Sequence, residues 1–221
     1  FTSQGFEGGI TDVVIPKIMP PPLSTAAIGT PDFVANQNYL RSNDVAGDNG
    51  IDAEYSWSFP GGNGAGITIY DVEYSWNQNH EDLAVATNVK LLLNLGDETN
   101  PAYDNRHGTA VLGELVGTNN GLGVRGISYG AAIGLAPERT KNLGSNRGNA
   151  ILLAVSDAKP GDVILLEMQF PACGLGENDF GPAEESQDVF DVTTVAVANG
   201  IVVVAAAGNG NVDLDDPRCM G

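Results

Sequence analysis

The chain has 221 residues, 42% hydrophobic and 17% charged, which is enough apolar material for one substantial core and does not point to disorder. Its 28 acidic side chains outnumber 10 basic ones, for a formal charge of −18. That excess disfavours nucleic acid and anionic membrane surfaces, where Lys and Arg must displace counterions, and no stretch approaches the roughly 18 apolar residues of a spanning helix. It suits solubility, tolerance of salt or basic substrates.

Residues 1–30 mix glycine with Pro20-Pro21-Pro22, a run that cannot donate backbone hydrogen bonds and favours extended geometry. This segment reads as an arm or linker, with the domain over residues 31–221. A first residue of Phe1 rather than methionine suggests a processed or excised piece. Residues 32–59 show no sustained period and are expected to form turns and short helices over the domain surface.

From Gly61 the pattern changes. A glycine-rich run leads into Ile67-Thr68-Ile69-Tyr70-Asp71, a β-branched strand that should end on its acid. Further apolar runs at 89–93, 131–136, 162–168 and 201–207 alternate with helical patterns at 107–116, 147–158 and 184–199, the last closed by Gly200 as a C-cap. Apolar strands alternating with helices predict an α/β domain, a parallel β-sheet with helices on both faces. Such sheets bind ligands beyond the carboxyl ends of their strands, where Asp71, Glu167 and Asn209 are expected to gather.

Gly121-Leu122-Gly123-Val124-Arg125-Gly126 has the letters of a dinucleotide fingerprint. It follows a helix instead of joining a strand to one, so nucleotide binding is not expected. His107 opens His-Gly-Thr at a helix start, where a neutral imidazole could act as a general base. Taken singly, His107 also fits a capping histidine, Asp71 a strand terminator and Asn209 a turn residue.

Together, Asp71, the His107-Gly108-Thr109 segment and Ala205-Ala206-Ala207-Gly208-Asn209 resemble the subtilase family of serine proteases, in that family's chain order. The resemblance runs from about residue 66 to 216. It implies a subtilisin-like fold incomplete at its C-terminus, and peptide-bond hydrolysis through an acyl-enzyme. By that resemblance Asp71 orients His107, His107 is the base, and the Asn209 amide donates to the oxyanion. Ala206, Ala207 and Gly208 would floor the specificity pocket, with Glu167, Met168 and Gln169 in its wall.

The sequence departs from the family pattern in four places. Asp71-Val72-Glu73 stands where Asp-Ser/Thr-Gly is usual, and Ala110 where a second histidine often follows His-Gly-Thr. Glu167-Met168-Gln169-Phe170 replaces Ser-Leu-Gly-Gly. The nucleophilic serine of Gly-Thr-Ser-Met-Ala is absent before Gly221, and Ser128, Ser145, Ser156 and Ser186 lack that setting.

The resemblance therefore implies that this chain is nearly inactive alone and that a C-terminal fragment of the same domain carries the serine. A non-catalytic binding module on the same scaffold is the alternative, and a peptide or protein is the expected partner in either case. The family also implies secretion, and the neighbouring loops of its fold would permit a Cys173–Cys219 disulfide. No cofactor is required. Asp82 and Asn120 resemble calcium-ligand positions of some subtilisins, as oxygen donors of the right kind, although either also suits a plain turn.

Overall fold

A computed structural model describes residues 29–44, 50–83, 89–100, 105–173, 176 and 179–219. The Pro20-Pro21-Pro22 arm lies outside the described residues. The chain divides into two units, Phe1–Thr30 and Pro31–Gly221, and the helices and strands described belong to the second.

Two 3-10 turns, Val34–Asn36 and Asn38–Leu40, and the one-turn helix α1, Ala53–Ser56, form the N-terminal layer. Leu40 and Ala53 anchor it by burial. Gln37 contributes polar contacts: its Nε2 donates to the Arg125 carbonyl at 2.9 Å and its Oε1 accepts from the Arg125 N–H at 2.8 Å.

The strands then follow in chain order. They are β1, Thr68–Glu73; β2, Val89–Leu91; β3, Ala132–Pro137; β4, Arg139–Thr140; β5, Gly144–Ser145; β6, Val163–Leu166; β7, Gln169–Pro171; β8, Phe180–Pro182; and β9, Val202–Ala205. Five of them build the main sheet in the order β2-β3-β1-β6-β9, every pair parallel. β4 with β5, and β7 with β8, form two small antiparallel pairs.

Helices cover both faces, as the apolar strands require, because a parallel sheet without two covers would leave one apolar face wet. Helix α2, Arg106–Val116, buries Gly108, Leu112 and Val116 at intervals of four residues. Its apolar stripe packs with Ile69, Ile133 and Leu135. On the opposite face, α3, Arg147–Asp157, and α4, Gln187–Ala198, bury Ile151, Ala154, Val189 and Ala196 against Val72, Ile164 and Leu166. Each fully buried aliphatic side chain contributes about 2 kcal/mol by its removal from water.

Boundaries differ from expectation in three places, each with a local cause. The helix expected over 184–199 is divided, because Ser186 adopts extended backbone between the turn Ala183–Glu185 and α4. The strand expected over 162–168 ends at Leu166, and Met168 turns into the core. β1, expected to end on Asp71, runs two residues further because Val72 and Glu73 stay in register with Ala136 and Pro137 of β3.

Candidate active site

Side chains alternate along β1, so Ile69, Asp71 and Glu73 share the face toward α2 while Tyr70 and Val72 face α3 and α4. Two acids therefore line one track, with Glu73 one strand period nearer the carboxyl edge. Helix α2 begins just beyond that edge, and His107 is its second residue.

The contact that results corrects the expected pairing. His107 Nδ1 pairs with Glu73 Oε2, and Asp71 is not its partner. Asp71 is fully buried and its Oδ2 accepts from Trp76 Nε1 at 2.7 Å. Its Oδ1 is buried without a hydrogen-bond partner among the described residues. The physical reason is reach: Asp71 sits mid-strand, opposite Leu135 and Leu165, about 7 Å short of the edge where His107 enters.

Glu73 is 1% exposed, whereas the His107 side chain is 55% exposed. Its Oε1 accepts from the Tyr74 N–H at 2.7 Å, so each carboxylate oxygen has a partner. With Nδ1–H donated to Glu73, the lone pair of the neutral imidazole lies on Nε2.

Burial pushes the Glu73 carboxyl up from its usual value, opposed by the Tyr74 N–H and by His107. Burial also holds Asp71 well above the usual carboxylate range; the Trp76 hydrogen bond opposes this, and the charges of Glu73 and Glu167 add to it.

Gly108 makes the approach of α2 to β1 sterically feasible. A Cβ there would stand 2.5 Å from the Ser75 carbonyl oxygen and 2.8 Å from both Glu73 Cγ and Trp76 Cδ1. Any side chain would lift the helix start, and His107 with it, away from Glu73.

The second half of the site follows β6 and β9. The Ala206 N–H donates to the Leu166 carbonyl at 3.1 Å, extending the parallel ladder by one bond. Beyond it the exposed Asn209 donates its backbone N–H to Gln169 Oε1 at 2.9 Å, which brings two of the predicted residues together. Glu167 is half-buried at the end of β6, with its N–H on the Val72 carbonyl at 3.3 Å.

One of the expected pocket positions is placed otherwise. Met168, expected in the pocket wall, is 4% exposed within the core on the α3 and α4 side, because alternation after Leu166 returns it to the interior. Gly208, expected in the floor, lies against β8: at φ +91°, a Cβ there would meet Gly181 backbone atoms at 2.7 Å. Ala206 is half-buried and Ala207 exposed.

The Gly210 N–H donates to the Phe180 carbonyl at 3.0 Å, so β8 runs along this segment. Cys173, just after β7, and Cys219 form a disulfide with Cα atoms 4.7 Å apart. The bond ties the end of β7 to the chain that follows Asn209.

Asp82 is buried, and the loop after α2 wraps it: its carbonyl accepts from the Thr118 N–H at 2.9 Å and its Oδ2 from the Val124 N–H at 3.0 Å. Its Oδ1 is buried without a hydrogen-bond partner among the described residues, while the Oδ1 of the exposed Asn120 accepts from the Leu122 N–H at 2.9 Å. Among the described residues no group of three or more His, Cys, Asp or Glu side chains could hold a metal ion. The glycine-rich run at 121–126 is part of this wrap. Ser156 Oγ donates to its own helix, to the Leu152 carbonyl at 2.7 Å, and Ser186 Oγ is engaged with Asp188.

Glu73 was legible in part. Two acids separated by one residue on a strand share a face, and the one nearer the carboxyl edge is better placed to meet a helix starting there. What concealed it was the length of β1, which is decided by pairing with β3.

The fold and site define an α/β protein with a histidine–carboxylate pair at the carboxyl edge of a parallel sheet. The sequence profile of the subtilase family matches residues 48–219, and the chain belongs to that family. It is 31% identical over 147 residues to subtilisin J of Geobacillus stearothermophilus, covering 66% of this chain and 35% of that protein. It is 26% identical over 181 residues to furin of Rattus norvegicus, covering 77% of this chain and 22% of that one.

Among solved structures, the nisin leader peptidase NisP from Lactococcus lactis superposes with a TM-score of 0.53 at 21% identity. That match covers 86% of this chain and 54% of that one, and it shows the shared fold. The chain thus spans about a third of the length of the curated subtilisin.

Proposed function

We propose that this chain is part of a subtilisin-like serine endopeptidase in which Glu73 orients and His107 is the general base. The observation that carries the reading is the pairing of His107 Nδ1 with buried Glu73, in a chain that belongs to the subtilase family. Nε2 would take the proton of a serine hydroxyl as its oxygen attacks the scissile carbonyl, then return it to the leaving amine. Glu73 would stabilise the intervening imidazolium, and the Asn209 amide would donate to the oxyanion. Water would then release the acyl group by the same proton route, with a peptide or protein as substrate.

The serine is assigned to a C-terminal part of the same domain. Two features support this. β9 is an edge of the main sheet among the described residues, and Val202 and Val204 remain 51% and 47% exposed. Such an edge and face suit a further strand and a covering helix. The disulfide supports a secreted protein, since such bonds persist in oxidising compartments.

Calcium at Asp82 is a subsidiary proposal. The buried Oδ1 of Asp82, without a hydrogen-bond partner among the described residues, fits an oxygen-seeking cation. A rise in thermal midpoint on adding calcium, abolished by Asp82→Asn, is the expected result. An unchanged midpoint removes the proposal.

The decisive experiment treats the full-length protein with a fluorophosphonate probe. One serine should be labelled, and His107→Ala should abolish labelling. Absence of labelling in the wild-type protein favours a non-catalytic module that binds peptides.

A further inference from the structure

A continuous path of hydrogen bonds joins the two halves of the site. The Asn209 N–H donates to Gln169 Oε1 at 2.9 Å. The Gln169 carbonyl accepts from Arg147 Nη1 at 2.8 Å, and Arg147 Nε donates to Glu138 Oε2 at 2.7 Å. The Glu138 N–H donates to the Glu73 carbonyl at 2.9 Å, and Glu73 holds His107. Glu138 is 1% exposed and Arg147 17%, so this is an ion pair largely withdrawn from water.

We propose that Gln169, Arg147 and Glu138 are positioning residues that hold Asn209 at a fixed distance from the Glu73–His107 pair. The inference rests on the protease reading of the same site.

Three features argue that the path has a purpose beyond generic stability. Arg147 is the first residue of α3, where a cation works against the helix dipole, so its place there needs a compensating partner. Its planar fork satisfies the Glu138 carboxylate, between β3 and β4, and a carbonyl of β7 at once, which a lysine ammonium on a flexible stem does poorly. Gln169 spends its side-chain acceptor on the backbone of the one residue expected to face the oxyanion, at a position where the family pattern has glycine.

An oxyanion donor acts only if it is already in place when charge develops, because reorganising it then would raise the barrier. Gln169 fixes the Asn209 backbone, Arg147 fixes the strand bearing Gln169, and Glu138 ties both to β1. The base and the oxyanion donor then share one reference frame although they lie on different elements.

The test uses the full-length protein and two readouts. For hydrolysis of a peptide substrate, Gln169→Leu should lower kcat by about ten- to a hundredfold with KM nearly unchanged, the scale of a small misplacement at a reacting centre. Gln169→Glu, which keeps an acceptor, should restore most of that loss. Arg147→Lys should fall with Gln169→Leu. In an Asn209→Ala background, Gln169→Leu should add less than about twofold, since the two act as a unit.

The second readout is hydrogen exchange at the Asn209 amide, which should be protected in the wild type and faster in Gln169→Leu. The brace is overturned if Gln169→Leu costs the same factor with and without the Asn209 side chain, or if Asn209 exchange is unchanged. A wild-type protein that neither cleaves peptide nor takes up fluorophosphonate overturns the protease reading and the catalytic purpose of the brace, while Asn209 exchange still decides whether Gln169 holds that loop.

Discussion

Asp71 and Glu73 stand on one face of β1, two residues apart, yet Glu73 holds His107 Nδ1 while Asp71 accepts a hydrogen bond from Trp76 at 2.7 Å. Glu73 has a partner on each oxygen; Asp71 keeps one buried oxygen without a partner among the described residues. Two similar carboxyls one strand period apart are thereby given different chemistry.

On the proposed protease reading, Glu73→Gln should lower kcat of the full-length protein by on the order of ten-thousandfold, because an amide favours the wrong imidazole tautomer and gives the cation no counter-charge. Asp71→Asn, which keeps an acceptor for Trp76, should change kcat by less than about tenfold. Steady-state kinetics on the two variants checks the assignment, and the reverse ranking would restore Asp71 as the orienting acid.

Stability should respond to Asp71 in the opposite sense from an ordinary paired carboxylate. Its proton affinity is higher folded than unfolded, so folding takes up a proton. The contribution is most favourable below about pH 3.8 and is lost as pH climbs through the raised value. Asp71→Asn should therefore raise the melting midpoint near pH 7 by about 3 °C, the shift that roughly 1 kcal/mol produces in a domain of this size. The gain should shrink toward zero near pH 4, as melting curves at several pH values would reveal.

Gly108→Ala should destabilise by about 2 kcal/mol and lower activity out of proportion, since the new methyl meets the Ser75 carbonyl at 2.5 Å and Glu73 and Trp76 at 2.8 Å. Denaturant unfolding gives the first quantity and kcat the second. A fully active, fully stable Gly108→Ala protein would show that α2 does not need its present approach to β1.

Replacing both Cys173 and Cys219 by serine should cost up to about 4 kcal/mol, the chain-entropy value for a bridge over 46 residues. The bond joins the end of β7 to the chain beyond Asn209, so proteolysis should be enhanced first within residues 169–219. Limited proteolysis of the wild-type and double-serine proteins tests that order.

The parallel, doubly covered sheet was legible in the alternation of apolar runs with helical patterns, because strands buried on both faces have little freedom in composition. The His-Gly-Thr helix start and the Asn209 loop stood out for a similar reason: a short polar motif beside an apolar run marks where the chain leaves the core. The Glu73 assignment was legible only in part, since nothing local distinguishes a strand ending at Asp71 from one ending at Glu73. Met168 was hidden, its side decided by where β6 stops and the turn after it begins.

The sequence by itself determined the layer architecture, the chain order of the polar motifs and the inventory of acids near the histidine. Composition and periodicity are properties of segments, and segments choose strand or helix largely on their own. The tertiary structure decided which acid meets His107, that the two cysteines come close enough to bond, and which side chain steadies Asn209. Those are contacts between distant segments, fixed by the register of β1 against β3, by the seat that Gly108 provides for α2, and by the reach of Gln169 from β7 to the chain after β9.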